Sequence, residues 1–226
     1  MARRERKTLM PQNKHTVYAI TDAALMPNTA SLCHRVELAL RSGVTWLQYR
    51  DKSSNTSKRS EQAQALKALC HTYNAKLIIN DDTALAKQVG ADGVHLGQTD
   101  GCIASARELL GPHAIVGSTC HASLELAERA LSQGASYVAF GRFFASSTKP
   151  NAAPAPLSLL AHAQQKFTCP IVAIGGITPS NGAQLLHAGA TTLAVCHSLF
   201  ADDNVEYRAK CLLGLTPNAE DALVTS

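Results

Sequence analysis

The chain lacks the features that would place it in a membrane, in a secretory route or on nucleic acid. No apolar run approaches the roughly 20 residues that span a bilayer. The N-terminus has no apolar stretch of the secretory kind. The net charge of +4 is mild, and part of it lies in the opening Arg3-Arg4-Glu5-Arg6-Lys7. Removing that tail leaves a nearly balanced body, so charge makes no case for nucleic acid. The tail is short and contains Glu5, with Pro11 close behind, which suits a frayed end better than a transit peptide. Cysteine pairing is missing as well. Cys33, Cys70, Cys102, Cys120, Cys169, Cys196 and Cys211 are scattered and odd in number, with no Cys-x-x-Cys pair. Neither a zinc site nor a disulfide framework is indicated, and a reducing cytoplasm fits best. The chain also has no Gly-x-Gly-x-x-Gly fingerprint after a strand and no nucleophile–base dyad.

What is present is a rhythm. Short apolar runs recur at Val17–Thr21, Trp46–Arg50, Leu77–Asn80, Gly93–Gly97, Ile115–Thr119, Tyr137–Gly141, Ile171–Gly175 and Thr192–Cys196. Between them lie segments of helical period, such as Leu32, Val36, Leu38, Ala39 and Leu40. Gly43, Gly90, Gly134 and Gly189 each stand between a helical segment and the next run, where a left-handed residue can stop a helix. Strand–helix alternation implies a parallel sheet, and eight such units in one chain of 226 residues imply a closed (β/α)8 barrel. A doubly wound open sheet is the runner-up. The expected organisation is a basic tail over 1–15, one barrel domain over 16–213 and a polar tail over 214–226. The longest irregular stretch, Arg142 to Pro156, follows strand six and would lie on the active face.

Polar residues gather at the expected strand exits. Gln48, Arg50 and Lys52 recur at spacing two, which places them on one side of an extended chain. Such a triplet suits a cationic clamp for a phosphorylated substrate, against the plainer reading of a solvated strand exit. Asp81 and Asp100 stand just past two consecutive runs and would face each other across one rim. Two carboxylates there suit a hard cation such as Mg2+, completed by substrate phosphate. The competing reading makes each aspartate a helix cap. His95 would stand beside that site. Ser118 and Thr119 end strand five, with His121 in the loop, and their hydroxyls could instead cap a helix starting near Ala122. Ser146, Ser147, Thr148 and Lys149 offer an anion-binding loop. Gly175-Gly176 and Cys196-His197-Ser198 follow strands seven and eight, the recurrent phosphate site of such barrels. Two phosphate-seeking regions and one cation site point to chemistry on a phosphate or diphosphate leaving group, in which positioning and charge stabilisation do most.

Several segments in fixed order resemble the thiamine-phosphate synthase family from Tyr18 to about Phe200. They are Tyr18-Ala19-Ile20-Thr21-Asp22, Gln48-Tyr49-Arg50-Asp51-Lys52, Ile79-Asn80-Asp81-Asp82, Gly90 through Asp100, Gly141 through Lys149, and Ala173-Ile174-Gly175-Gly176-Ile177. The resemblance implies a TIM barrel that joins hydroxymethylpyrimidine diphosphate to a thiazole phosphate with Mg2+, releasing diphosphate. It implies that Gln48, Tyr49, Arg50, Asp51, Lys52, Asn80 and Lys149 serve the pyrimidine diphosphate. It implies that Asp81 and Asp100 hold Mg2+, and that Ser146 to Thr148 and Gly176 serve the thiazole phosphate. The chain departs from the family pattern in three places. Ser146-Ser147-Thr148-Lys149 replaces Thr-x-Thr-Lys, the serine after strand five aligns with Thr119, and Cys196-His197 stands where a Val-Ser pair is usual. His197 could add a donor there, or a charge when protonated.

On this reading Arg50, Lys52 and Lys149 carry the charge work of catalysis. The partners are the two small-molecule substrates, with no nucleic acid and no membrane, and a homo-oligomer is compatible with it. A thiazole tautomerase-like isomerase of the same fold is the nearest competitor, but it needs no diphosphate metal site. A barrel that only binds a phosphorylated ligand is the competitor from another class.

Overall fold

Each apolar run becomes a strand that is largely buried on both faces, as a parallel sheet covered by helices demands. The computed structural model describes residues 15–145 and 154–217. Its strands are β1 Thr16–Ile20, β2 Trp46–Tyr49, β3 Lys76–Asn80, β4 Gly93–Leu96, β5 Ile115–His121, β6 Tyr137–Phe140, β7 Ile171–Ile174 and β8 Thr192–Val195. They close in sequence order into one parallel barrel, with Tyr18 of β1 opposite Ala194 of β8. The helices are α1 Thr29–Arg41, α2 Thr56–Thr72, α3 Thr83–Val89, α4 Ile103–Leu110, α5 Leu124–Ser132, α6 Ser158–Lys166, α7 Gly182–His187, α8 His197–Phe200 and α9 Val205–Leu213.

Alternation along the strands builds two cores. Val17 and Ala19 join Leu32, Val36, Leu47, Leu66 and Leu77 in the layer between strands and helices. Tyr18 and Ile20 turn inward to Ile78, Tyr137, Ala139, Val172 and Ala194. Trp46 packs edge-on against Tyr18 and Tyr137, with ring centroids 5.4 Å apart in both pairs. Gly117 makes room for this filling, since a Cβ there would lie 2.0 Å from Cζ of Tyr137. Large aromatic rings therefore plug the barrel, and the open volume is left at its C-terminal mouth.

The helix starts and stops follow local chemistry. Asn28 and Ser31 form a capping box on α1, and Asn55, Asp82 and Ser123 cap α2, α3 and α5. Gly90 ends α3 at φ 62°, ψ 38°, a left-handed position open to glycine at little cost.

Two expectations need correction. Strand β5 does not end at Thr119 but continues through a bulge to His121, which takes φ 48°. The next helix opens at Leu124 with Ser123 as its cap, so neither Ser118 nor Thr119 is a cap. Strand β8 stops at Val195, and Cys196 is the residue before α8. Among the described residues no helix is long and apolar enough to cross a membrane.

Candidate active site

The strand exits converge on one cavity of about 730 Å³ at the C-terminal mouth. Gln48, Arg50 and Lys52 reach it from β2 and its exit, as their spacing requires. The same alternation sends their neighbours elsewhere. Tyr49 is buried, and its hydroxyl donates to Oε1 of Gln62 on α2 at 2.8 Å. The side chain of Tyr49, expected at the substrate, thus faces the helical layer rather than the main cavity. Asp51 also turns from the main cavity, accepting from the Ser53 N–H at 2.7 Å and pairing with Lys58 at 3.0 Å. Burial pushes its carboxyl up, but these partners outweigh burial and hold it below the usual range. Asp51 borders a smaller cleft whose wall includes Lys52, Asn80, Asp81 and Asp100, so it stands behind the rim rather than in the main cavity. The half-buried guanidinium of Arg50 has no hydrogen bond or ion pair among the described residues.

The two aspartates at the exits of β3 and β4 are not caps. Asp82 takes that role, accepting from Leu85 N–H at 2.8 Å and from Nη2 of Arg59 at 2.7 Å. Cys102, which lacks a side-chain cap bond, precedes α4. Asp81 is left free to point into the cavity. It takes φ 63°, a region that aspartate enters more easily than most residues, and its N–H donates to the carbonyl of His95 at 2.8 Å. Its Oδ2 accepts from Nδ2 of Asn80 at 2.6 Å and from Nζ of Lys52. Asp100 is exposed, and its carboxylate fills the space where a Cβ on Gly97 would sit, 2.2 Å from that position. Among the described residues no three His, Cys, Asp or Glu side chains converge to hold a metal ion. Two carboxylates on a shared wall fit a hard divalent cation that takes its other oxygens from phosphate and water.

Below them runs a buried polar chain. Nε2 of Gln48 donates to the Tyr18 hydroxyl at 2.8 Å, which bonds the Tyr137 hydroxyl at 3.0 Å. Tyr137 bonds Nδ1 of His95 at 2.9 Å, and Nε2 of His95 bonds Oγ1 of Thr119 at 2.9 Å. Burial raises both phenols well above their ordinary value. His95 and Thr119 line the cavity as expected; the two tyrosines are additions to the sequence reading. A glycine in the middle of β5 was the available signal, since it marks close approach by another group.

The opposite wall comes from β7, β8 and the chain after them. Gly175 and Gly176 have φ 105° and 65°, and a Cβ on Gly176 would lie 2.2 Å from the carbonyl oxygen of Ala145. The β6 exit loop thus rests directly on these glycines. Cys196 and His197 line the same wall. Burial above all pushes the Cys196 thiol up to about 12, with Asp22 adding to the rise and Arg50 opposing it. Arg208 of α9 also reaches this wall, which no local motif foretold. It pairs with Asp202, Nε to Oδ1 at 3.1 Å, and donates to the Ser198 carbonyl at 3.3 Å. That pairing lowers the Asp202 carboxyl to about 2. Ser146, Ser147, Thr148 and Lys149 lie outside the described residues.

Cations, carboxylates and glycine turns meeting at the C-terminal face define a (β/α)8-barrel enzyme for phosphorylated substrates. Comparison with known proteins narrows the class. Residues 17–199 match the family model described as thiamine monophosphate synthase. The chain is 95% identical over 217 residues, 96% of its length, to the whole of a thiamine-phosphate synthase from Saccharophagus degradans. It is 52% identical to one from Alcanivorax borkumensis, over 87% of this chain and 91% of that one. A solved thiamine phosphate pyrophosphorylase from Pyrococcus furiosus superposes with a TM-score of 0.79 at 32% identity, covering 88% of this chain and 94% of that one. The chain belongs to the thiamine monophosphate synthase family, and with it to the transferases of thiamine biosynthesis.

Proposed function

We propose that the chain transfers the hydroxymethylpyrimidine group from its diphosphate to thiazole phosphate, giving thiamine phosphate and diphosphate, with Mg2+ held by Asp81 and Asp100. The observation that carries this reading is the unpartnered Arg50 guanidinium beside Lys52 and the two aspartates on one cavity wall. A half-buried cation with no protein partner among the described residues is suited to an anionic ligand. When bound, Mg2+ supplies positive charge to the departing diphosphate. Arg50 and Lys52 add to that charge, and Lys149 is assigned the same end. Gln48, Asn80, His95 and Thr119 orient the pyrimidine diphosphate. Asp51 supports that end from behind, by accepting from the N–H of Ser53, the residue after Lys52, and by pairing with Lys58.

The bond from the pyrimidine methylene carbon to the diphosphate oxygen breaks, and the electron pair leaves with the oxygen. The electron-rich aminopyrimidine spreads the positive charge left on that carbon. The thiazole nitrogen, which carries no proton, closes the new C–N bond with its lone pair. No base is required at that step, which accounts for a site without a nucleophile–base dyad. Ser146, Ser147, Thr148 and Gly176, with Cys196 and His197, are assigned to the thiazole phosphate. Seven free cysteines fit action in a reducing cytoplasm. The test is turnover by the purified chain with both substrates and Mg2+. Thiamine phosphate and diphosphate are expected in equal amounts. Thiazole isomerisation without diphosphate release, or binding without product, would overturn the reading.

A further inference from the structure

We propose that Tyr18 and Tyr137 are positioning residues: with Gln48 they hold His95 as its Nε2–H tautomer, which sets the Thr119 hydroxyl as a hydrogen-bond donor toward the cavity. The argument is one of counting protons along the chain. The amide nitrogen of Gln48 can only donate, so the Tyr18 oxygen accepts from it at 2.8 Å. Tyr18 is 1% exposed, and its other partner is the Tyr137 hydroxyl at 3.0 Å. A buried hydroxyl proton needs an acceptor, so Tyr18 donates to Tyr137. Tyr137 is fully buried and must in turn donate to Nδ1 of His95, 2.9 Å away. Nδ1 is then bare and the ring proton sits on Nε2, which donates to Oγ1 of Thr119 at 2.9 Å. The Thr119 proton is the one left to face outward. Running the chain in reverse would leave the Tyr18 O–H buried with nothing to bond.

The surrounding packing holds this order in place. His95 stacks on Tyr137 at an interplanar angle of 16°, and Gly117 leaves room for the Tyr137 ring that a Cβ would take. The direction has a chemical consequence. Thr119 as donor suits an acceptor atom on an anionic diphosphate; Thr119 as acceptor would turn a lone pair toward it. That consequence rests on the proposed function, whereas the proton order does not.

The test uses the full chain with 15N-labelled histidine, and His95→Gln to assign the His95 signals. At pH 7 the unmodified chain is expected to show His95 with a proton on Nε2 and a bare Nδ1. Tyr137→Phe removes the donor to Nδ1 and is expected to give a mixture of tautomers. The same variant should lower kcat by about tenfold while KM for thiazole phosphate stays within about twofold, as should Thr119→Val; Thr119→Ser should restore most of the rate. A proton on Nδ1 in the unmodified chain overturns the proposal, as does an unchanged His95 spectrum in Tyr137→Phe. If Tyr137→Phe fails to fold, the spectrum of the unmodified chain alone decides. An Nε2–H tautomer in a chain without synthase turnover would sink the proposed function and leave the proton order standing. Normal turnover with a proton on Nδ1 would do the reverse.

Discussion

At the N-terminal end of the barrel Asp92 meets Lys67 at 2.9 Å, Lys76 at 3.2 Å and the Leu77 N–H at 3.0 Å. Arg107, at the same end, donates to the carbonyls of Gly111, Pro112, Ala114 and Gly134 and to the Ser136 hydroxyl. At the C-terminal end the same residue types stand differently. The Arg50 guanidinium and the Asp100 carboxylate have no hydrogen bond or ion pair among the described residues, and both border open volume. One end satisfies its charges internally and so ties β3 to β4 and β5 to β6. The other end leaves the Arg50 guanidinium and the Asp100 carboxylate unsatisfied beside the paired Asp81 and Lys52, which costs stability and keeps them for a ligand. The lesson is that charge count says nothing about role here; partner count does.

The strongest way to break this comparison is to remove mouth charges and ask whether the fold suffers. Arg50→Ala, Asp81→Ala and Asp100→Ala should each lower kcat/KM by about 100-fold or more, equivalent to about 2.7 kcal/mol or more. The thermal midpoint should hardly move. Near-normal turnover at saturating Mg2+, or gross unfolding, would show that the mouth is structural after all.

The complementary loss is expected at the other end. Arg107→Ala strips five acceptors of the two guanidinium nitrogens they share and should cost about 3 kcal/mol of stability, read by denaturant titration. Its kcat at 25 °C should match that of the unmodified chain. A drop in kcat without loss of stability would mean that the two ends are coupled through β5.

Asp92→Asn sharpens the same contrast with pH. Burial raises this carboxyl, but Lys67, the Leu77 N–H and Lys76 outweigh it and hold it below the ordinary value. A depressed folded-state value gives stability that is present above the unfolded value, near pH 3.9, and lost as pH falls through the folded value. The variant should therefore be about 1.5–2 kcal/mol less stable at pH 7. That gap should narrow below about pH 4 and close once pH has fallen below the depressed folded-state value, where the carboxyl is protonated in both states. A gap independent of pH would assign the effect to packing rather than to charge.

Much of this arrangement was legible in the residues. The eight strands, the barrel and the inward triplet Gln48, Arg50, Lys52 all follow from local period, because alternation is set by the backbone. The same rule, applied to Tyr49 and Asp51, would have turned both away; the family resemblance carried them in as a block. What local pattern does not hold is pairing across the barrel. Tyr18 and Tyr137 meet from 119 residues apart, and Arg208 reaches the rim from the last helix. The cap reading competed with the metal reading for both Asp81 and Asp100 in sequence, and at the first of them Asp82 offers the same cap one residue on. It is settled by Asp82, which accepts from the Leu85 N–H as the cap of α3, and by Cys102, which precedes α4.

The smallest effect is expected where this chain leaves the family pattern, at His197. The imidazole is exposed on the cavity lip, has no hydrogen-bond partner among the described residues and opens α8 directly after Cys196. A side chain that nothing orients adds little to binding, because each contact with phosphate must first offset its freedom in solvent. Gly176 and the turn around it, by contrast, are fixed by the Asn181 side chain, which donates to the Gly176 carbonyl at 3.0 Å and accepts from the Thr178 N–H at 2.8 Å. Main-chain groups of that wall are therefore better placed than His197 to carry the affinity for thiazole phosphate. His197→Ser, which restores the family residue, should shift that affinity by about threefold and by less than about tenfold, or about 1.4 kcal/mol, in calorimetry. Asn181→Ala, which releases the turn, should shift it more. If His197→Ser costs more than Asn181→Ala, the imidazole is a principal phosphate ligand, and this wall depends on side-chain charge as the opposite wall does.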